Sequence, residues 1–300
     1  MNKPTRPRIF EAQNTPEARR LVAAQARLYS DAKIIFAVRV LAVFALALTS
    51  AIVALIFPSL RAVVGAGGGA LVLVLSIVIG SMEKWVRTRA VATQEQFDTQ
   101  IFQLPWNHLH IDRPSPHLVA RAAQRYKGQR DKDWYDDTEQ TYRPFDVLIC
   151  QSSNLGWGAR MHLLWGWFLV FVATSMGAAL LVVWAIFNLS GADVLSALIV
   201  PSLAPFKEII EQIKANFETA RTKESVGQRL SDIWEKGMSG KQLLAEEDLR
   251  AIQDKILLLR LSNPYVPDWF DNAFHGSNEA TMRTTTADSV SRAKRYGLGG

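Results

Sequence analysis

Cysteine occurs once in this chain of 300 residues, at Cys150. One cysteine excludes an intramolecular disulfide framework and a zinc-type thiolate cluster, and leaves Cys150 to be read as a small buried hydrophobe. The chain has no phosphate-cradling glycine loop, no nucleophile–base constellation and no internal repeat. Charge is also missing over long distances: residues 40–57, 62–81 and 161–187 contain no Asp, Glu, Lys or Arg. A fourth apolar stretch, 192–206, is shorter and holds Pro201 and Pro205.

Those uncharged stretches dominate the reading. A bilayer's hydrocarbon core is about 30 Å thick and takes roughly 20 apolar helical residues to cross. Backbone groups in lipid must bond internally, so helices are the spans to expect. Residues 58–61 and 188–191 are short connections, which makes two antiparallel hairpins. A soluble protein with buried core hairpins fits less well, because 71–79 and 163–187 show no wet face. The glycines Gly65, Gly67, Gly68 and Gly69 lie inside the second stretch, where small residues permit close helix packing or a bend.

Basic residues set the expected orientation. Arg19, Arg20, Arg27, Lys33 and Arg39 lead into the first stretch; Lys84, Arg87 and Arg89 follow the second. Arg160 precedes the third, and Lys207 and Lys214 follow the fourth, whereas the outer turns carry only Arg61. The positive-inside rule places both termini and the 82–160 loop in the cytoplasm. Trp85, Trp165, Trp167 and Trp184 stand near span ends, where indole rings favour the interface. A signal peptide is not expected, since a second apolar run follows the first at once.

The net charge of +6 carries little further meaning. The 82–160 loop has 11 basic against 10 acidic residues, and 207–300 has 14 of each. The excess sits in the N-terminal arm and at the membrane edge, where topology and anionic lipid explain it. DNA and RNA polymers are not indicated as partners.

The expected fold class is all-α: four transmembrane helices in two hairpins, with a helical cytoplasmic domain formed by the central loop and the C-terminal region. The divisions are 1–33, an N-terminal arm; 34–81, the first hairpin; 82–160, a helical loop; 161–206, the second hairpin; and 207–300, C-terminal helices and tail. The second span should continue to about residue 103, where Pro105 ends it. Ser115-Pro116 reads as a helix cap and first turn. A long amphipathic helix should cover 206–236, and another 246–261, stopped by Asn263-Pro264. The polar tail after Gly276 reads as loose.

Several blocks carry candidate chemistry. Trp106, Trp134, Tyr135 and Trp157 can stack on bases. Asn107, Gln151 and Asn154 can read base edges, and Arg121, Arg125 and Lys127 can meet phosphates. The competing reading is that these aromatics pack the helices and the amides cap them. His108, His110 and Asp112 have a spacing open to a metal, but in a loop with no second cluster, so no metal or cofactor is expected. Glu95 and Asp98 share a helix face, read as solvated rather than as an acid/base pair. Val200, Pro201 and Pro205 are the candidate pore-facing residues, since proline leaves carbonyls that are costly in lipid and tolerable beside a cavity.

The blocks Gln94-Glu95-Gln96-Phe97-Asp98-Thr99 with Leu104-Pro105-Trp106-Asn107, Asp133-Trp134-Tyr135, Ile149-Cys150-Gln151 with Asn154 and Trp157, and Asn263-Pro264-Tyr265-Val266-Pro267-Asp268-Trp269 occur in an order that resembles one family. It is the SMODS-associating four-transmembrane effector family of bacterial cyclic-oligonucleotide anti-phage operons (CBASS). The resemblance extends to Gln13-Asn14, the Gln25-Ala26-Arg27-Leu28-Tyr29-Ser30 stretch, Lys33, Ile252-Gln253-Asp254-Lys255-Ile256 and Arg260, covering about residues 9–282. Two positions depart from the family pattern: Ser152, where a basic residue usually stands, and Gly158, where an acid usually follows the tryptophan.

The resemblance implies an inner-membrane effector that would bind a cyclic oligonucleotide made by a partner nucleotidyltransferase and permeabilise the bilayer, causing abortive infection. The lack of a nucleophile constellation argues against an enzyme, and four helices are few for a water-filled channel, so a homo-oligomer is expected. The ligand candidates are then Trp106, Asn107, Arg125, Trp134, Tyr135, Gln151, Asn154 and Trp157. A membrane-anchored enzyme using the central loop and a non-gating membrane scaffold remain as alternatives.

Overall fold

The computed structural model describes residues 7–139, 141–240 and 244–299, without the side chains of residues 157, 275 and 277–279. The candidate Trp157 side chain therefore lies outside the described residues. The architecture is all-α. Helices α1 (Ile9–Gln13), α2 (Pro16–Ile56), α3 (Arg61–Phe102), α4 (Pro116–Gln124), α5 (Phe145–Phe187), α6 (Gly191–Asp193), α7 (Val200–Met238), α8 (Glu246–Ser262) and α9 (Asp268–Arg295) follow in order. Among the described residues the only β pairing is an isolated bridge between Thr141 and Gly299.

Helix boundaries fall where local chemistry forces them. Phe57 leaves the helical region before Pro58, which ends α2 and opens a single 3-10 turn over Pro58–Leu60. Gln103 adopts a left-handed φ of 57° after α3, and Leu104 N–H returns to the Thr99 carbonyl at 3.0 Å. That is a helix-terminating geometry, and Pro105 prevents any continuation. Ser115 caps α4 by accepting from Leu118 N–H at 3.3 Å, with Pro116 in the first turn. Asn188, at φ 45°, breaks the chain after α5, and Ser190 starts it again by accepting from Asp193 N–H at 3.3 Å.

Three of these helices, α2, α3 and α5, are long and apolar enough to cross a membrane. The fourth apolar stretch is built differently. α6 passes through a π turn over Val194–Ile199 directly into α7, which carries Pro205 inside it. Ser202 Oγ donates to the carbonyls of Leu198 at 2.7 Å and Ile199 at 2.9 Å, so hydroxyl donors serve this irregular segment.

The chain divides into two compact units. Unit 2 comprises 31–86 and 163–217 and holds the apolar stretches. Ion pairs tie the helices at two levels. Arg61, after the first hairpin turn, pairs with Asp193, after the second. Arg39 of α2 makes a two-pronged pair with Glu208 of α7 at 2.7 and 2.9 Å. Gly68 faces Ser50 so closely that a Cβ there would lie 2.8 Å from the Ser50 hydroxyl, whereas Gly67 and Gly69 face open space. Close packing therefore applies to Gly68, and more loosely to Gly65 against Val200.

Unit 1 comprises 1–30, 87–162 and 218–300. Its apolar core joins Leu21, Val22 and Leu28 with Phe97, Ile101, Phe102, Leu148, Leu230, Trp234, Ile252 and Ile256. Phe145 meets Trp234 edge-on, with ring centres 5.3 Å apart. Cys150 is buried there, and burial pushes its thiol well above the ordinary value.

One expectation is overturned here. The tail after Gly276 is not loose, because it continues α9 to Arg295. Asp268 and Asp271 stand at its start and Arg292, Lys294 and Arg295 at its end, matching the helix dipole. Phe270 anchors one end and Val290 and Ala293 the other, all buried. The polar middle concealed a helix held by its ends.

Candidate functional site

Several of the residues that stood out in sequence meet in one buried polar network of unit 1. Asp98, fully buried on α3, accepts from Tyr135 Oη at 2.8 Å, Gln253 Nε2 at 3.1 Å and Arg260 at 2.6 Å. Arg260 also donates to Asn154 Oδ1 at 3.1 Å, and Asn154 Nδ2 donates to Tyr135 Oη at 2.5 Å. Asp98, Arg260, Asn154 and Tyr135 thereby close a ring of hydrogen bonds drawn from α3, α8, α5 and the loop before α5.

A second branch starts at Glu95, one turn earlier on α3. Glu95 accepts from Gln253 at 2.9 Å and from Arg250 at 2.7 Å. Arg250 passes on to Asp254 at 2.8 Å, and Asp254 accepts from Asn107 Nδ2 at 3.0 Å. Gln151, fully buried, donates to the Leu249 carbonyl at 2.9 Å and to Gln253 Oε1 at 3.3 Å. Gln13 clamps the Tyr135 backbone from both sides, donating to its carbonyl at 2.9 Å and accepting from its N–H at 2.8 Å.

The electrostatics follow from burial. Glu95 is held above the ordinary carboxylate range, first by burial and then by the Asp98 charge, while Arg260 and Arg250 pull it back. Burial opposes the Arg260 charge, but Asp98 and the other acidic groups around it outweigh that and raise its pKa. Tyr135 is pushed well up by burial and by Asp98, so it stays a neutral donor. Burial does the same to Tyr29, whose hydroxyl donates to Gln94 at 2.8 Å.

Glu95 and Asp98 are thus not a solvated helix face, as their spacing alone suggested; they are 1% and 0% exposed and paired with arginines. Their partners lie more than 150 positions away in sequence, so i and i+3 spacing could not reveal them. Arg250 belonged to no recognised block. Its one local signal was the i, i+4 pairing with Asp254.

The remaining candidates are placed as follows. Trp106 is half-buried, donates from Nε1 to the Ile111 carbonyl at 3.0 Å, and lies under the Arg113 guanidinium at 5.2 Å. Trp134 is 40% exposed and meets Phe97 edge-on. Tyr135 is buried and stacked on Phe97. Arg125 is exposed at the end of α4, and Arg121 and Lys127 are exposed nearby. Tyr135, Gln151, Asn154 and Asn107 are therefore joined in one network, whereas Trp106, Trp134 and Arg125 lie outside it. His110 stands 4.0 Å from Asp254, and among the described residues no three His, Cys, Asp or Glu side chains are grouped to hold a metal ion.

Unit 1 has a cavity of about 200 Å³ lined by Phe102, Leu104, Arg143, Pro144, Leu244 and Leu249. That lies below the roughly 300–1,000 Å³ usual for ligand pockets. In unit 2 a cavity of about 410 Å³ is lined by Ser59, Arg61, Gly65, Ala66, Ser196 and Val200. Of the candidate pore residues, Val200 lines this cavity, Pro201 is half-buried and Pro205 is buried.

Long apolar helices, two tight helical turns and a separate unit built round a charge network define a multi-span all-α membrane protein. Residues 7–289 match the family described as the SMODS-associating 4TM effector domain, and the chain belongs to that family. A probable CBASS effector molecule of Bacillus cereus strain VD146 is 22% identical over 274 residues, covering 87% of this chain and 91% of that relative. No solved structure matches the chain.

Proposed function

We propose that the protein is the membrane effector of a bacterial cyclic-oligonucleotide anti-phage system, and that it binds the nucleotide through unit 1 and permeabilises the inner membrane through unit 2. Family membership and the Bacillus cereus relative support the defence role. The observation that carries the gating step is continuity: α2, α3, α5 and α7 each contribute residues to both units. A ligand that rearranges the network on α3 and α5 therefore acts on helices that are also membrane helices. It can shift the equilibrium only by binding the open state more tightly.

The network is closed in this conformation, with Tyr135, Gln151, Asn154 and Asn107 already bonded to other side chains or the backbone. A nucleotide would exchange some of these bonds for its own, or bind where two copies of the chain meet. A homo-oligomer fits the second route, and four apolar stretches per chain are few to surround a water-filled pore. No step of this function needs catalysis, so the protein is read as a non-enzyme.

The test is dye release from liposomes carrying the purified protein. Addition of cyclic di- or trinucleotides from a panel is expected to trigger leakage. Absence of binding to every member by calorimetry would sink the sensor assignment, and binding without leakage would sink the pore. Orientation has its own expected outcome. In a Cys150-free background, cysteines at Ser59 and Ser190 should label from outside intact cells, and those at Ser115 and Ser239 should not. Labelling at Ser115 would reverse the topology.

A further inference from the structure

Lys223 is a half-buried cation of unit 1 that stands beside the network without joining it. Lys223, on α7, lays the end of its side chain across Gly158 of α5: a Cβ at Gly158 would lie 1.8 Å from Nζ and 3.0 Å from Cε. Gly158 is buried, so the ammonium occupies the space a side chain would fill. One turn back on the same face of α5 is Asn154, where Arg260 ends. Two cations, from α7 and α8, thus reach one strip of α5.

Their circumstances differ. Arg260 has its carboxylate in Asp98 and its amide in Asn154. Lys223 makes no hydrogen bond or ion pair among the described residues, and the charge that acts on it is that of Arg260, of the same sign. Burial, and then Arg260, push Lys223 down to about 8, which leaves it mostly protonated at neutral pH. An ammonium partly withdrawn from water beside a second cation is costly. What would offset that cost is a group with negative charge and acceptor oxygens. Lys223 and Asn154 are half-buried rather than sealed, so such a group can arrive from solvent, with Arg260, 10% exposed, behind them.

We propose that Lys223, seated over Gly158 beside Asn154 and Arg260, is the binding position for one phosphodiester group of the cyclic oligonucleotide. This rests on the sensor reading given above. Gly158 belongs to the site because any side chain there would displace the ammonium, and an acidic one would neutralise it from within.

The test uses the full-length protein in a non-ionic, phospholipid-free detergent, with calorimetric titration of the same panel of cyclic di- and trinucleotides. Lys223→Gln is expected to lose about tenfold or more in affinity, the scale of one hydrogen bond to a charged group. Gly158→Asp is expected to lose as much while melting at a higher temperature, because its carboxylate supplies the counter-ion. Gly158→Ala, which moves the ammonium without neutralising it, should stay closer to wild type than Gly158→Asp. If wild type binds and Lys223→Gln binds equally well, the phosphate position is wrong and the sensor reading stands. If wild type binds no member of the panel, both fall. A parallel titration with anionic lipid separates the sources of phosphate: Lys223→Gln weakening only lipid binding would overturn the assignment to the nucleotide.

Discussion

Asp98→Ala is expected to destabilise unit 1 by about 3–5 kcal/mol, the cost of leaving a buried partner charge uncompensated. Three donors converge on this carboxylate, from Tyr135, Gln253 and Arg260, and the residue is fully buried. Removing it strands the Arg260 guanidinium, whose side chain is only 10% exposed. Glu95 offers little rescue, since its Oε2 lies 4.0 Å from Arg260 and its Oε1 is engaged by Arg250. Asp98→Asn should cost less, because one amide oxygen still accepts from Arg260 while the lost charge remains unpaid. The measurement is thermal melting with limited proteolysis on detergent-solubilised protein, reading cuts in unit 1. Equal melting of Asp98→Ala and wild type would show that the network is not what holds α3, α5 and α8 together. The same result bears on function: loss of growth arrest in Asp98→Ala reports lost structure, and is no sign of catalysis unless folding is intact.

Much of the fold was legible because its signals are local. The uncharged stretches, the Phe57-Pro58 break, the Ser115-Pro116 cap and the Asn263-Pro264 stop each act within a few residues, and α8 falls where its apolar spacing placed it. The site was legible as a list of residues and illegible as an arrangement. Glu95, Asp98, Gln151, Asn154, Gln253 and Arg260 were all noticed, but their partners come from distant helices that no spacing rule connects. A buried carboxylate beside a buried arginine looks, in sequence, the same as a solvated one. The π turn at Val194–Ile199 has a visible neighbour in Pro201 but no motif of its own. Helix α9 was missed because composition was weighed over its ends, where Asp268 and Arg295 already carried the boundary signals.

Leu73→Lys and Val200→Lys should behave differently, and the contrast addresses the proposed pore. Leu73 lies in the uncharged part of α3 and is 62% exposed on the surface of unit 2, so a lysine there meets lipid. Insertion scales put that at about 2.5–3.5 kcal/mol near a helix centre, or roughly 70- to 400-fold in the insertion equilibrium. Val200 lines the cavity of about 410 Å³ whose walls also include Ser59, Ser196 and Arg61. Ser59, Ser196 and Arg61 give this otherwise mostly apolar cavity the few polar groups a water can bond, and Arg61 is already paired with Asp193. A lysine at position 200, which lines this cavity and is 40% exposed, should cost less than one at position 73 if α7 borders water. Quantifying membrane-integrated protein for the two variants gives the first comparison, with Leu73→Lys depleted and Val200→Lys near wild type. Planar-bilayer recordings with a cyclic oligonucleotide of the test panel present, on the proposed pore reading, give the second. If α7 faces the conducting path, the added charge at position 200 should shift selectivity toward anions. Equal integration of both variants would mean that Leu73 does not face lipid, and unchanged selectivity in Val200→Lys would move the proposed pore away from α7.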